Sequence, residues 1–133
     1  GHTLIYTSET GPRVMRFDLQ AGTQLADLMT LPDAAPGRPP AMVFDVEHLT
    51  GDKVVLPLGT KVTVITEGGE EVSSFPLDGF GWALIAPGAN GATVYAANWF
   101  TGEVAKVSLD NGNILARVTI APKCLSGIVQ FQG

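Results

Sequence analysis

The 133-residue chain has a single cysteine, Cys124, so it can form neither an internal disulfide nor a cysteine-based zinc site. Charge is sparse as well. Asp, Glu, Lys and Arg make up only 16% of the residues, and 13 acids outnumber 8 bases. There is no basic cluster to meet a phosphate backbone, which argues against nucleic acid as a partner. No glycine-rich phosphate loop or dinucleotide fingerprint is present either. No apolar run approaches the roughly 18 residues of a membrane span. No window sustains a capped 3.6-residue period, so little helix is expected. No Ser-His-Asp set stands in the elbow context of an activated serine. What the chain does have is 45% hydrophobic residues, enough for a core rather than a disordered segment. Its 16 Gly and 9 Pro are dispersed, the pattern of many turns.

The chain repeats itself. Residues 3–30 align without a gap on residues 93–120, through Thr3/Thr93, Val14/Val104, Leu19/Leu109, Gly22/Gly112, Leu25/Leu115 and Ala26/Ala116. A middle copy places Val62-Thr63-Val64 and Glu67-Gly68-Gly69 on Ala105-Lys106-Val107 and Asp110-Asn111-Gly112. The spacing is two periods of about 45 residues, the length of a four-stranded blade. Within each copy the apolar positions alternate, as in Met15, Phe17, Leu19 and Ala105, Val107, Leu109, which is the pattern of half-buried strands. Gln20-Ala21-Gly22, Gly68-Gly69 and Asn111-Gly112 then read as hairpin turns, with Asn-Gly expected to supply two residues of positive φ.

Labelling blade strands a to d from the inside out gives b strands at Thr3–Ser8, Lys53–Leu58 and Thr93–Asn98. The c strands are Arg13–Leu19, Lys61–Thr66 and Glu103–Leu109, and the d strands Gln24–Thr30, Glu71–Leu77 and Ile114–Ile120. The a strands are Ala41–Val46, Trp82–Ala86 and Ser126–Phe131. Gly1-His2 reads as the remnant of a cleaved tag, which leaves 3–133 as the folded unit. The expected fold is all-β, a propeller of four-stranded blades with three blades per chain. The chain begins one strand late and ends one strand late.

The stretch Trp82–Gly88 followed by Thr93-Val94-Tyr95-Ala96-Ala97-Asn98, together with Ser126-Gly127-Ile128-Val129, resembles β-propellers built of NHL or YVTN-type repeats, lactonase-like propellers among them. That resemblance implies a fold and leaves the activity open. Propellers close with about four to eight blades, so three leave two apolar faces and a free strand edge. The leading expectation is a homodimer, a six-bladed ring in which each chain lends strand a to the other; the other reading is a fragment of a longer propeller or one chain of a cleaved protein. Its interface would include Leu4, Tyr6, Leu125, Ile128 and Val129.

Function is expected on the rim shared by the d–a and b–c loops. Glu9, Arg38, Asn98 and Trp99 fall there and are the candidate ligand contacts. Trp99 and Phe100 are large apolar residues in a polar turn context, with Phe80 and Trp82 on the same rim or its inner edge. Trp82 is expected to fill space between blades. The primary reading is a non-enzymatic binding scaffold that takes a protein or a small molecule at this rim. The resemblance also implies an alternative, a lactonase-like hydrolase with calcium in the central channel, held by Asn98 and Glu9. The bland role for Asn98 is to cap its loop. Asp45, Glu47 and His48 form the densest titratable group, and period two places Asp45 and Glu47 on one face. Their position reads as a solvated a–b turn on the opposite rim. Cys124 is expected to pack near the last strand. No targeting segment is legible, and localisation is left open.

Overall fold

A computed structural model describes residues 1–8, 11–32, 35–37 and 43–131. Among them there is no α-helix, and hence none long and apolar enough to cross a membrane. Twelve strands form three antiparallel sheets. The first holds β1 (Thr3–Thr7), β2 (Arg13–Asp18), β3 (Thr23–Gln24) and β4 (Met29–Thr30). The second runs β5 (Glu47–His48), β6 (Lys53–Pro57), β7 (Lys61–Thr66) and β8 (Glu71–Pro76). The third runs β9 (Trp82–Pro87), β10 (Thr93–Asn98), β11 (Glu103–Ser108) and β12 (Ile114–Thr119). Each sheet is a meander, the arrangement expected of a blade.

The register reproduces the repeat. Thr3 pairs with Asp18 and Thr93 with Ser108, so the b–c hairpins of the first and third copies superpose residue for residue. The c–d turns also recur, but as longer loops than a two-residue Asn-Gly turn. Only the glycines Gly22, Gly69 and Gly112 take positive φ there, and Asn111 does not. One left-handed residue closes a longer hairpin loop; two are needed only in the shortest one.

Several strand boundaries differ from expectation. The first d strand breaks into β3 and β4, both paired with β2. Between them Leu25 and Leu28 still donate to the Arg16 and Val14 carbonyls of β2, and the register slips by two as Ala26 and Asp27 bulge out, where Arg16 Nε donates to the Ala26 carbonyl and Arg13 meets Asp27. Of the a strand expected at Ala41–Val46, residues 41 and 42 lie outside the described residues, and Val43–Val46 carry no strand. The ladder forms one step later, where Glu47 pairs with Val55 and His48 with Val54. Glu47 and His48 are therefore strand residues and not part of a solvated turn. Ser126–Phe131 has no ladder within the chain. Inside β1, where β5 and β9 lie in the other two sheets, the first sheet has no strand among the described residues.

The core lies between sheets. Ile5, Val14 and Leu28 of the first sheet region pack with Val54, Leu56 and Ile65 of the second. Val55, Val62 and Val64 pack from the other side of the second sheet against Ile85, Val94, Ala96 and Val107 of the third. Trp82 fills the second interface, 1% exposed, with its indole N–H donated to the Asp78 carbonyl at 2.9 Å. The middle sheet is thus covered on both faces.

Each of the outer two sheets packs one face on the middle sheet, and among the described residues no further sheet covers the other face. Leu4 pairs with Phe17 and Tyr6 with Met15, which places these four on the side of the first sheet away from the core. Leu4 is 47% exposed, Tyr6 and Phe17 are half-buried and Met15 is buried. In the third sheet Leu84, Ala97, Val104 and Val118 stand opposite one another on the outward side, next to the Tyr95–Lys106 pair; Val118 is 55% exposed and Ala97 is buried. These are apolar surfaces of the kind that elsewhere in the chain are buried by a neighbouring sheet.

Candidate functional site

The b–c loop of the third sheet, residues 98–102, carries the most organised geometry on the rim. It is built on Asn98, the last residue of β10, which is 1% exposed. Asn98 Nδ2 donates to the Phe80 carbonyl at 2.8 Å, while its Oδ1 accepts the N–H groups of Phe100 and Thr101 at 3.0 and 3.1 Å. A carboxamide oxygen has two lone pairs, and both are occupied here. The side chain that sequence nominated for a ligand or calcium is turned into its own loop, in the capping arrangement.

Backbone bonds hold the loop from both sides. Trp99 N–H donates to the Gly81 carbonyl, and the Trp99 carbonyl accepts the Lys123 N–H, each at 2.9 Å. Gly102 N–H returns to the Asn98 carbonyl, and the Gly102 carbonyl accepts the Ile120 N–H. Lys123 takes φ of 60°, alone among described non-glycine residues in having positive φ. A side-chain-bearing residue pays a conformational cost there, which the fold sustains on the segment that anchors Trp99. Gly81, with φ of +95°, is needed on the other side. A Cβ at this position would meet the Phe100 ring and lie 2.9 Å from Asn98 Oδ1.

On this support stand three aromatic rings. Phe80 and Phe100 have centroids 5.2 Å apart, and Trp99 meets Phe100 edge-on at 4.9 Å. Trp99 remains 40% exposed, Phe100 39% and Phe80 46%. Beside them lies a cavity of about 580 Å³. Phe44 closes it from the second sheet's inner segment, Ala83 and Leu84 from β9, Trp99 and Phe100 from the loop, and Leu125 from the segment after β12. Ser126 lines it as well. The cavity volume is of the size that holds a small ligand.

The structure brings Asn98, Trp99 and Leu125 together at this place. Glu9 and Arg38 lie outside the described residues. Leu4 and Tyr6 are on the outer face of the first sheet, and Tyr6 donates its hydroxyl to Gln24 at 2.8 Å. Ile128 is half-buried and Val129 is 85% exposed in the terminal segment. Sequence reasoning passed over Phe44, Leu84 and Gly81 as site residues, because their role depends on other segments, from the loop at Asn98–Phe100 for Gly81 to Leu125, 81 residues on, for Phe44; only the position of Gly81 in a d–a loop hinted at it.

The acidic group divides. Asp45 Oδ2 accepts the Ile85 N–H at 2.8 Å, a carboxylate joining the second sheet to the inner strand of the third. Burial, and then the neighbouring Asp45, push the Glu47 carboxyl above its usual range. His48, one residue on, faces the other way; its Nε2 lies 3.1 Å from the Gly51 carbonyl and 3.7 Å from Glu67. Among the described residues no group of three or more His, Cys, Asp and Glu is placed to hold a metal. Cys124 is exposed rather than packed, with Sγ 3.3 Å from the Pro122 carbonyl.

No family model matches the chain, and no curated protein does. Solved structures do match. A chain in the crystal structure of the mitotic checkpoint complex, a β-propeller, has a TM-score of 0.70 at 10% identity, over 90% of this chain and 34% of that one. A catalytically inactive virginiamycin B lyase from Staphylococcus aureus, crystallised with quinupristin, has a TM-score of 0.66 at 14% identity, over 89% of this chain and 38% of that one. It too is a β-propeller. The three sheets are propeller blades. The chain spans little more than a third of the length of these structures, and at such identity the likeness carries the fold and no activity.

Proposed function

We propose that this chain is a non-enzymatic propeller scaffold of the NHL or YVTN-like kind, which contacts its ligand or protein partner through the Trp99 rim and completes a six-bladed ring with a second copy. One observation carries the binding role. Trp99 is fixed by backbone bonds to Gly81 and Lys123, yet leaves a large part of its ring in solvent beside a cavity. Rigid, half-exposed aromatic anchors lose little entropy on binding and are enriched among the residues that dominate interfaces. The ring-closing role is supported by apolar side chains on the outer faces, by the edge of β1, which carries no strand among the described residues, and by a terminal segment without a ladder among them. The first sheet offers Leu4, Tyr6, Met15 and Phe17 with Arg13 on the same side, and the third Leu84, Ala97, Val104 and Val118 with Lys106, so largely apolar stretches of two copies would meet.

Light scattering after size exclusion tests the assembly. The wild type is expected at twice the 13.9 kDa chain mass. Leu4→Asp and Val118→Asp should each halve the mass while circular dichroism stays β-rich. A folded wild type at the mass of one chain would remove the homodimer.

A further inference from the structure

Resting on the two-copy ring proposed above, we infer how its copies are joined: Ser126–Phe131 of each is the innermost strand of the other's first sheet, antiparallel to β1, with Ile128 opposite Tyr6 and Val129 opposite Ile5. The register comes from the repeat. In the third sheet Ala96 pairs with Ile85, Tyr95 with Ala86 and Val94 with Pro87. The matched hairpins carry Ala96, Tyr95 and Val94 onto Tyr6, Ile5 and Leu4. The outer strands β8 and β12 correspond in the same way. Pro76 pairs with Lys61 as Thr119 does with Glu103, and Leu77 and Ile120 each donate to the carbonyl just before strand c. That step carries Ile85, Ala86 and Pro87 onto Ile128, Val129 and Gln130.

Burial along the segment is that of a strand with one neighbour present and the other missing. Ile128 and Gln130 are half-buried, whereas Gly127, Val129 and Phe131 are exposed, the last two at 85% and 84%. A period of two without a ladder means that one side lies on the chain's own surface and the other is uncovered. In the exchanged register the uncovered side turns with Ile5 toward the core of the second copy, where Val14, Leu28 and Val54 pack. A slip of one residue would turn Val129 away from that core. The pairing is between chains because the segment starts on the third sheet. Lys123 N–H bonds the Trp99 carbonyl, and Leu125 and Ser126 line a cavity with Ala83 and Leu84. The first sheet of the same chain lies across the middle sheet, so pairing within one chain would close a ring of three blades, fewer than the roughly four at which propellers close.

Disulfide trapping tests this. Directly opposite residues of an antiparallel pair have Cα atoms about 4.5–5.5 Å apart, within the span of a disulfide. In a Cys124→Ser background, chains with Leu4→Cys and chains with Gln130→Cys are unfolded in urea, mixed and refolded to β-rich circular dichroism. Mild oxidation should give a linked dimer on a non-reducing gel from the mixture and little from either variant alone. A chain carrying both substitutions, never unfolded, should also link at the dimer mass. Val129→Cys in place of Gln130→Cys faces the other way and should lose most of the product. Val129→Asp, at a position exposed in the single chain, should leave the chain folded and weaken the dimer about tenfold or more. A wild-type dimer whose cysteine variants do not link overturns the exchange and leaves the two-copy ring standing. A doubly substituted chain that closes its own disulfide at the mass of one chain overturns the exchange as well. Equal linking through Val129→Cys overturns the register from which the exchange is inferred. A folded wild type at the mass of one chain removes ring and exchange together.

Discussion

Asn98→Ala should unfold the rim loop before it damages the blades. The wild-type side chain makes three hydrogen bonds, to the Phe80 carbonyl and to the N–H groups of Phe100 and Thr101, while itself only 1% exposed. At about 1 kcal/mol net for each buried bond, the substitution costs about 3 kcal/mol, and nearer 2 where water reaches the freed backbone groups. That is a large part of the roughly 5–15 kcal/mol that holds a domain together. Urea titration followed by tryptophan emission reads it directly, because Trp82 is buried and Trp99 sits on the affected loop. Asn98→Asp sharpens the test. The new carboxylate still accepts from Phe100 and Thr101, but it sets an oxygen against the Phe80 carbonyl, where Nδ2 now stands at 2.8 Å. The fold therefore raises the pKa of the introduced carboxyl. The variant is stabilised below the ordinary carboxylate range, where the protonated group donates to Phe80, and loses that stability as pH rises through the folded-state pKa. Calcium separates capping from ligation. If Asn98 were a metal ligand, the added charge of Asn98→Asp would strengthen the site, and millimolar calcium would raise its midpoint above that of wild type. Calcium stabilisation of that kind, or a cost for Asn98→Ala below about 0.5 kcal/mol, would refute the capping role.

Gly81→Ala combines a φ of +95° with a Cβ driven into Phe100 and Asn98, so it should cost about 2 kcal/mol or more and red-shift Trp99 emission as the loop loosens. Lys123→Gly should act in the opposite direction, stabilising by up to about 1 kcal/mol in thermal melts without moving that emission, since it relieves a left-handed residue at φ of 60° and keeps its N–H bond to Trp99. Glu47→Gln should raise the melting midpoint at neutral pH. The Glu47 carboxyl is pushed up by burial and then by Asp45, so the wild type is destabilised by its charge above the folded-state pKa. The advantage of the variant should shrink as pH falls through that value and disappear below the ordinary carboxylate range; a midpoint difference independent of pH would show that the charge is not the cause.

What was legible in the amino-acid order was what depends on neighbours along the chain. Alternation places Ile5 and Val14 on one face and Leu4 and Phe17 on the other, and the ninety-residue repeat reappears as the matched hairpins β1–β2 and β10–β11. The turn glycines were legible because a left-handed residue after strand c is a local need. The break in the first d strand was not, because it is a two-residue slip of pairing against β2, at which Arg16 meets the Ala26 carbonyl. The inner strand of the second sheet likewise begins at Glu47 because pairing with Val55, and not propensity, decides where a two-residue ladder forms.

At the rim the sequence determined the residue types and the tertiary structure determined their employment. Asn98, Trp99 and Phe100 stood out as a polar residue and two large rings in a turn. Whether Asn98 met a ligand or its own loop depended on where the Phe80 carbonyl lay, 18 residues away in sequence. Whether Trp99 had a cavity depended on Phe44 and Leu125 arriving from opposite directions. Asp45, read as solvated, bonds across 40 residues to Ile85 because the edge of an inner strand exposes an N–H that some acceptor must satisfy. Strand pattern is a property of adjacent residues, and a repeat carries it through the chain. A site is a property of distant segments brought within a few ångströms, and only the packing of one blade on the next decides which ones meet.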